Sequence, residues 1–532
     1  MIRYRIPFLI LSFCIFFLAC GNGKNKEVER DTSITNLTSF NNLFLDSASL
    51  ANFLTTQPEL QPYTEQFFNF YKERNYEYAW FDTSGLGEQA HNFLNLLNTT
   101  IYELHDSSLY DKKLYSMYDE FHDISGLKKS SKEALETELR MSGQFFKYAA
   151  KVFNGSDVDA TQLGWYIPRK KLSLSAILDT ALLSAKDIRE ANGIVSPGYK
   201  KLIAFVTKYY DLKKGKWDSI PTPDKPVHVG EKNYLLPQIK NRLYELGDLA
   251  SADTTTLFDT ALFTATKKFQ SRMGLSADGS IGSKMMYELN VSIEKRIQQI
   301  LVNLERMRWL PAKQEGDFIF VNIPEYKMYV YENGHLDFNM NVIVGKATNS
   351  TVIFSGSLQY VVFAPYWNVP KSIVQNEIVP GMAKNSDYLA NHNMEIVGQN
   401  GSLPDVRQKP GADNSLGRVK FLFPNNYDIY FHDTPNRDLF SATNRSFSHG
   451  CIRVGEPKKL AEFLLRNDSS WTVDRIDSAM YASKEKWVKT PEATPVIIAY
   501  FTAWVDDNGL LNFRKDIYGH DQKLIDKMFV SK

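Results

Sequence analysis

Cys451 is one of only three cysteines in the chain. Cys14 lies inside an apolar N-terminal run and Cys20 directly follows it, so Cys451 is the lone thiol of the remaining sequence. A lone thiol is either a small buried apolar residue or a working group. Its surroundings favour work: Ser448-His449-Gly450-Cys451-Ile452-Arg453 follows Tyr430-Phe431-His432-Asp433 by a short loop. A thiol attacks a carbonyl well only when its proton is removed, and a histidine within hydrogen-bond reach does that. His432 closes a strand-like run, which holds the imidazole on a rigid element while the loop returns Cys451 to its side. Gly450 lets backbone approach without a side chain. The N–H groups around Gly450 and Cys451 are natural donors to a tetrahedral oxyanion. The chemistry is acyl transfer through a thioester. Two other readings use the same residues. His432, His449 and Cys451 can be written as zinc ligands, although a His and a Cys two apart depart from the usual ligand spacings. Alternatively, Cys451 is a core residue of a protein with no catalysis.

Fifteen residues separate His432 from Ser448. A histidine, 14–17 residues, then Ser/Thr-His-Gly-Cys resembles the signature of the L,D-transpeptidases with a YkuD-type catalytic domain. Arg453 stands where that family often has Asn, as in its larger members with a helical scaffold. Pro365-Tyr366-Trp367-Asn368-Val369-Pro370 and Asp516-Ile517-Tyr518-Gly519 fit the same subgroup. The resemblance implies Cys451 as nucleophile and His432 as general base, oriented by the carbonyl of Asp433. It implies that His449 and Gly450 shape the oxyanion site and that Arg453 binds a substrate carboxylate. Ser448, Tyr430 and Trp367 are expected around the substrate, with packing as the competing role for Tyr430 and Trp367. The implied reaction is acylation by a peptidoglycan stem tetrapeptide, loss of the terminal D-Ala, and transfer to the amine of a neighbouring diamino acid, giving a 3→3 cross-link. No metal and no cofactor are implied, and carbapenems are expected to inhibit. Water in place of the amine would make an L,D-carboxypeptidase or endopeptidase. Without catalysis the protein would be a wall-binding lipoprotein.

The elements that must position these residues follow from pattern. The chain has 532 residues, 43% hydrophobic and 23% charged, enough for about three folded units. Net charge is +1, so no global field recruits nucleic acid. The reading is a multidomain α+β protein. Residues 41–225 carry helical periodicity, as at 134–152 and 172–191, and form a helical scaffold. His91, His105 and His122 are scattered there as structural histidines. A Pro221, Pro223 and Pro226 linker leads to a three-helix module at 230–290. Gly247 suits a helix cap there, and the pairing of Phe269-Gln270 with Asp278-Gly279-Ser280-Ile281-Gly282 resembles the small peptidoglycan-binding domain. A linker helix spans 291–313. The catalytic domain at 314–525 is mostly β, a mixed or all-β sandwich, with strands at 318–323, 327–331, 338–344, 359–364, 428–431 and 495–504. A capping insertion at about 366–425 contains a helix at 372–385 and a loop at 404–417. Asp506-Asp507-Asn508-Gly509 reads as a turn.

Residues 1–19 have Arg3 and Arg5 before an apolar run and Ala19 before Cys20, the pattern of a secretory signal of lipoprotein type. Cys20 is the expected lipidation site and 20–40 a tether. More than one acyl chain gives stable anchoring. The expected location is the periplasm-facing cell envelope, with the outer membrane favoured, peptidoglycan as partner and the membrane reached through lipid.

Overall fold

The computed structural model describes residues 43–529, apart from 83, 123–131, 157, 170–171, 184–195 and 311–313. Cys20, the signal-like segment and the tether lie outside the described residues. No helix among the described residues is long and apolar enough to cross a membrane.

The described chain divides into two units. The first contains residues 43–91 and Asp111–Gln144. Its centre is Glu138, fully buried, which accepts hydrogen bonds from Tyr71 Oη (2.7 Å) and from the backbone N–H of Ala79 (2.7 Å) and Trp80 (3.0 Å). Three donors compensate the burial of one carboxylate. The second unit contains Asn92–Tyr110 and everything from Phe145 onward. The helical scaffold read as one block at 41–225 is therefore shared between the two units.

Within the second unit, helices Leu236–Leu246, Thr260–Arg272 and Ser283–Leu289 form the small module. Gly247 ends the first helix at φ 86°, and Asp248 N–H bonds back to the Leu243 carbonyl. Gln270 ties the following turn in place. Its amide donates to Asp278 Oδ1 (2.7 Å) and to the Ser280 carbonyl (2.9 Å), and its oxygen accepts from Gly279 N–H (2.8 Å). Gly279 has φ 77°, and a Cβ there would lie 2.1 Å from Phe263. The next helix, Ile293–Trp309, starts at a Ser292 cap and is buried along most of its length. Gln299 donates to the carbonyls of Thr502 (3.1 Å) and Arg514 (2.9 Å), and Asn303 exchanges bonds with Thr502. This helix joins the module to the strand-rich region that follows.

Residues 318–513 contain fourteen strands in chain order: β1 Phe318–Asn322, β2 Lys327–Glu332, β3 His335–Gly345, β4 Phe354–Phe363, β5 Trp367–Asn368, β6 Met394–Asn400, β7 Leu403–Gln408, β8 Val419–Leu422, β9 Phe431–His432, β10 Ser446–Ser448, β11 Ile452–Val454, β12 Lys486–Ala499, β13 Ala503–Val505 and β14 Leu511–Phe513. The main sheet runs β10-β3-β11-β9-β8-β4-β12-β1-β2, and β2 pairs in turn with β3. The pairings close into a circuit, where two separate facing sheets were expected. Closure leaves fewer exposed strand edges.

The insertion is folded in its own right. β5, β6 and β7 pair as a small sheet, and Val369, Ile373, Val374, Ile378 and Val406 form its core. The stretch expected as a loop at 404–417 thus begins with a strand. Pro404 does not prevent this, because β5 pairs only with Arg407 and Gln408, so the missing N–H of Pro404 faces no partner strand on that side. The helix expected at 372–385 is present as Lys371–Ile373, a wide turn at Val374–Ile378, and Val379–Lys384. Gly279→Ala should destabilise the small module by roughly 2–4 kcal/mol, from left-handed backbone strain plus overpacking against Phe263. The check is hydrogen exchange across 260–290, where protection should fall; unchanged protection would contradict the packing described.

Candidate active site

β9 and β11 run parallel, with Phe431 opposite Ile452 and His432 opposite Arg453. The bond from Ile452 N–H to the Tyr430 carbonyl (3.2 Å) extends the pairing back by one step, to the level of Tyr430 and Cys451. Alternation then sorts the side chains. Phe431 and Ile452 are fully buried in the core. Tyr430, Cys451, His432 and Arg453 project to the opposite face, within the span of two register steps. The sheet therefore gathers thiol, imidazole, phenol and guanidinium into one patch. The rings of Tyr430 and His432 lie 5.8 Å apart.

His432 is buried, and its Nδ1 lies 2.5 Å from the Asp433 carbonyl oxygen. A carbonyl only accepts, so Nδ1 carries the proton and Nε2 is left with its lone pair. Burial and the neighbouring Arg453 guanidinium drive the imidazole pKa down to about 3. Asp433 itself is held from two sides. Its Oδ2 accepts from Arg418 N–H (2.9 Å), and its Oδ1 pairs with Arg437 (2.9 Å). Gly417, at φ 63°, makes room: a Cβ there would lie 2.4 Å from Asp433 Oδ2.

The Cys451 thiol donates to the carbonyl of Asp428 at 3.5 Å. Burial pushes this thiol above its ordinary value of 9.0, while a hydrogen bond from Tyr430 and the charge of Arg453 pull the other way. At rest both groups are neutral, with the thiol donating to the Asp428 carbonyl. Arg453 is partly buried, and its Nε has no partner among the described residues. Gly450 has φ 120°, a conformation that favours glycine.

The turn before Cys451 is braced from within. Ser448 Oγ donates to the Cys451 carbonyl (2.5 Å) and accepts from Gly450 N–H (3.2 Å). Ser448 is buried, so the hydroxyl expected to meet substrate is spent inside the turn. The Gly450 N–H, expected to be an oxyanion donor, points at that hydroxyl in this state. The Cys451 N–H makes no hydrogen bond among the described residues. His449 is exposed and hydrogen-bonds to none of the other site residues. Trp367 packs against the insertion's apolar core. The insertion leaves and re-enters the sheet between Phe363 and Val419, which pair with each other, and Val419 accepts a bond from Asp433 N–H (2.9 Å). It is thus rooted at the His432 end of β9. Among the described residues no three His, Cys, Asp or Glu side chains converge as a metal-binding group.

Sequence reasoning missed several positioning residues. Thr351 Oγ1 donates to the Gly450 carbonyl (2.7 Å) and accepts from Gly345 N–H (2.9 Å). Tyr518 Oη donates to the Gly345 carbonyl (2.6 Å) and accepts from Thr351 N–H (3.3 Å). Asn425 bonds the carbonyls of Phe423 and Ile429 and the N–H of Tyr427, folding the turn that presents Asp428 at φ 53°. This turn replaces most of the strand expected at 428–431. The Pro424-Asn425-Asn426 cluster was the signal available for it.

Three family models match this chain. Residues 316–498 match the L,D-transpeptidase catalytic domain, YkuD. The chain carries a YkuD-type L,D-transpeptidase catalytic domain. Ahead of this L,D-transpeptidase domain, residues 65–204 match the scaffold domain and residues 235–289 a peptidoglycan-binding domain. A Haemophilus influenzae protein named as an L,D-transpeptidase is 35% identical over 243 residues, covering 43% of this chain and 49% of that protein. The chain thus spans about half the length of this relative. Among solved structures, an L,D-transpeptidase from Xylanimonas cellulosilytica is 14% identical, with a TM-score of 0.19, covering 52% of this chain and all of the other. One from Stackebrandtia nassauensis is 15% identical, with a TM-score of 0.21, covering 52% of this chain and 97% of the other.

Two outcomes follow for the L,D-transpeptidase domain. Thr351→Val removes both bonds of the hydroxyl and should slow acylation of Cys451 by roughly 10–100-fold with the fold retained. Stopped-flow acylation rates alongside circular dichroism check this, and a rate within twofold of the original would contradict it. Iodoacetamide alkylation of Cys451 should keep rising past pH 9, because the thiol ionises above its ordinary value of 9.0. A plateau below pH 8 would reveal a standing thiolate.

Proposed function

We propose that this protein is a cysteine-dependent peptidoglycan L,D-transpeptidase. The observation that carries the reading is the shared face of β9 and β11, where Cys451 and His432 sit within two register steps and Asp433 holds the imidazole in its Nδ1–H form. In that form Nε2 accepts the thiol proton as Sγ bonds to the carbonyl carbon of the donor stem. The Cys451 N–H receives the developing oxyanion. The carbon–nitrogen bond to the terminal D-Ala then breaks, and the leaving amine takes the proton from Nε2. A thioester remains on Sγ. The amine of a neighbouring diamino acid attacks it, gives its proton to Nε2, and Sγ departs and is reprotonated, leaving a 3→3 amide. Arg453, with a buried unpartnered Nε, is suited to the donor's carboxylate. Tyr430, whose hydroxyl bonds the sulfur, positions the thiol. The buried imidazole is neutral throughout the neutral range, so its Nε2 lone pair is open to the thiol proton.

The matched peptidoglycan-binding model at 235–289 supports a wall polymer as substrate. The insertion, with its own core, is placed to limit water and favour amine transfer over hydrolysis. Lipidation at Cys20 would hold the enzyme at an envelope membrane facing the wall, with the outer membrane favoured. Carbapenems, whose strained carbonyl presents the same target, are expected to acylate Cys451.

Intact-protein mass spectrometry with a carbapenem should show one adduct, absent in Cys451→Ser. Muropeptide analysis of sacculi treated with enzyme should show new 3→3 dimers. Shortened stems without dimers would make water the acceptor, and an unmodified profile together with no adduct would remove the enzymatic reading.

A further inference from the structure

A cavity opens beside the turn that presents Asp428 to the thiol. It has a volume of about 550 Å³ and is lined by Asp159, Thr161, Trp165, Tyr166, Arg169 and Tyr427 among others. Tyr166 and Tyr427 are both well exposed, at 43% and 39%, and their rings lie 5.3 Å apart at 34°. Trp165 is almost fully buried at 2%, yet its indole Nε1 has no hydrogen-bond partner among the described residues. Trp165 thus adds a third aromatic ring to the cavity lining.

Two routes connect the cavity to Cys451. Tyr427 precedes Asp428, whose carbonyl meets the thiol at 3.5 Å. Tyr166 N–H bonds the Ile353 carbonyl (2.8 Å), and Ile353 lies two residues from Thr351, which holds the Gly450 carbonyl at 2.7 Å. The charged groups of the cavity are already engaged. Arg169 donates to the carbonyls of Ser156 (3.3 Å) and Val158 (2.5 Å) and stacks on Trp309, while Asp159 Oδ1 accepts from the N–H and hydroxyl of Thr161. A wall of aromatic rings with engaged charges suits a neutral ligand that has apolar C–H faces and many hydroxyls. Aromatic faces carry the negative part of the ring quadrupole and attract such C–H groups.

We infer that this cavity is a saccharide subsite for the glycan to which the donor stem is attached. The inference rests on the transpeptidase reading and extends it. In a stem peptide the bond to be cut lies three residues from the sugar, about 10 Å of extended chain. Tyr427 is one residue from the carbonyl that touches the sulfur, so a sugar held in this cavity lies next to the turn that meets Cys451. The enzyme then reads the glycan as well as the peptide.

The test compares two donors with the full-length enzyme: a disaccharide tetrapeptide and the same tetrapeptide without sugar. The wild type should use the first with kcat/KM about tenfold higher or more. Tyr166→Ala should bring the two donors to within about twofold of each other, and so should Tyr166→Leu, which keeps side-chain bulk if the first variant folds poorly. Equal use by the wild type, or a preference that survives both substitutions, would overturn the inference. Should neither donor turn over, the transpeptidase reading fails by itself. The subsite is then read from tryptophan fluorescence titrated with an N-acetylglucosamine tetramer. A saturable change lost in the Tyr166 variants supports it, and no change in the wild type overturns it.

Discussion

The hydrogen bond from His432 Nδ1 to the Asp433 carbonyl decides what this site can do. It costs the protein a buried imidazole, and in return one nitrogen is fixed as donor and the other as acceptor. The bond is local, made to the next residue in the chain, but it requires the backbone at 432–433 to be held against drift. Arg418 N–H and Arg437 hold the Asp433 carboxylate, and Gly417 leaves space for it. The parallel pairing of β9 with β11 then sets the sulfur on the same face. The lowered imidazole pKa and raised thiol pKa are two results of one cause, burial of a polar pair without net charge.

The remainder of the second unit braces the other half of the pair. Cys451 lies in a short turn, and turns drift unless tied. Thr351 ties Gly450, Tyr518 ties Thr351 and Gly345, and Tyr500 ties Asp516 (2.6 Å) just ahead of Tyr518. Asp506 closes the β13–β14 turn through Asn508 and Leu510 N–H. The buried helix Ile293–Trp309 fixes this C-terminal region through Asn303 and Thr502, and Arg306 pairs with Asp521 (2.5 Å). The chain therefore reaches Cys451 from its far C-terminal end, a connection suited to a site that must be positioned to within a fraction of an ångström.

The parts legible in the sequence were those whose chemistry is written in a few adjacent residues. Ser448-His449-Gly450-Cys451, His432 and the Gln270 and Asp278-Gly279 pairing were readable because each needs particular residue types at a short spacing. Helices with strong caps, such as Thr260–Arg272 and Ile293–Trp309, were readable for the same reason. The supporting residues were not. Thr351 is an ordinary threonine, and Tyr518, although it stands in Asp516-Ile517-Tyr518-Gly519, has no readable role until the fold brings the two together over a long sequence separation. Ser448 looked like a substrate contact because its position in the motif does not reveal that its hydroxyl turns inward. The strand at Leu403–Gln408 was hidden by Pro404, and the closed pairing circuit depends on β2 meeting β3 in a ring that no local pattern records.

The proposed chemistry depends on the tautomer and charge of a single imidazole. Nitrogen-15 NMR of the enzyme labelled at histidine, with His432→Gln used to assign the signal, measures both directly. From pH 5 to 8 the His432 resonances should remain those of a neutral ring protonated at Nδ1, with no titration in that window. A ring protonated at Nε2, or one that becomes imidazolium with a midpoint near its ordinary value of 6.5, would contradict the arrangement on which the chemistry depends.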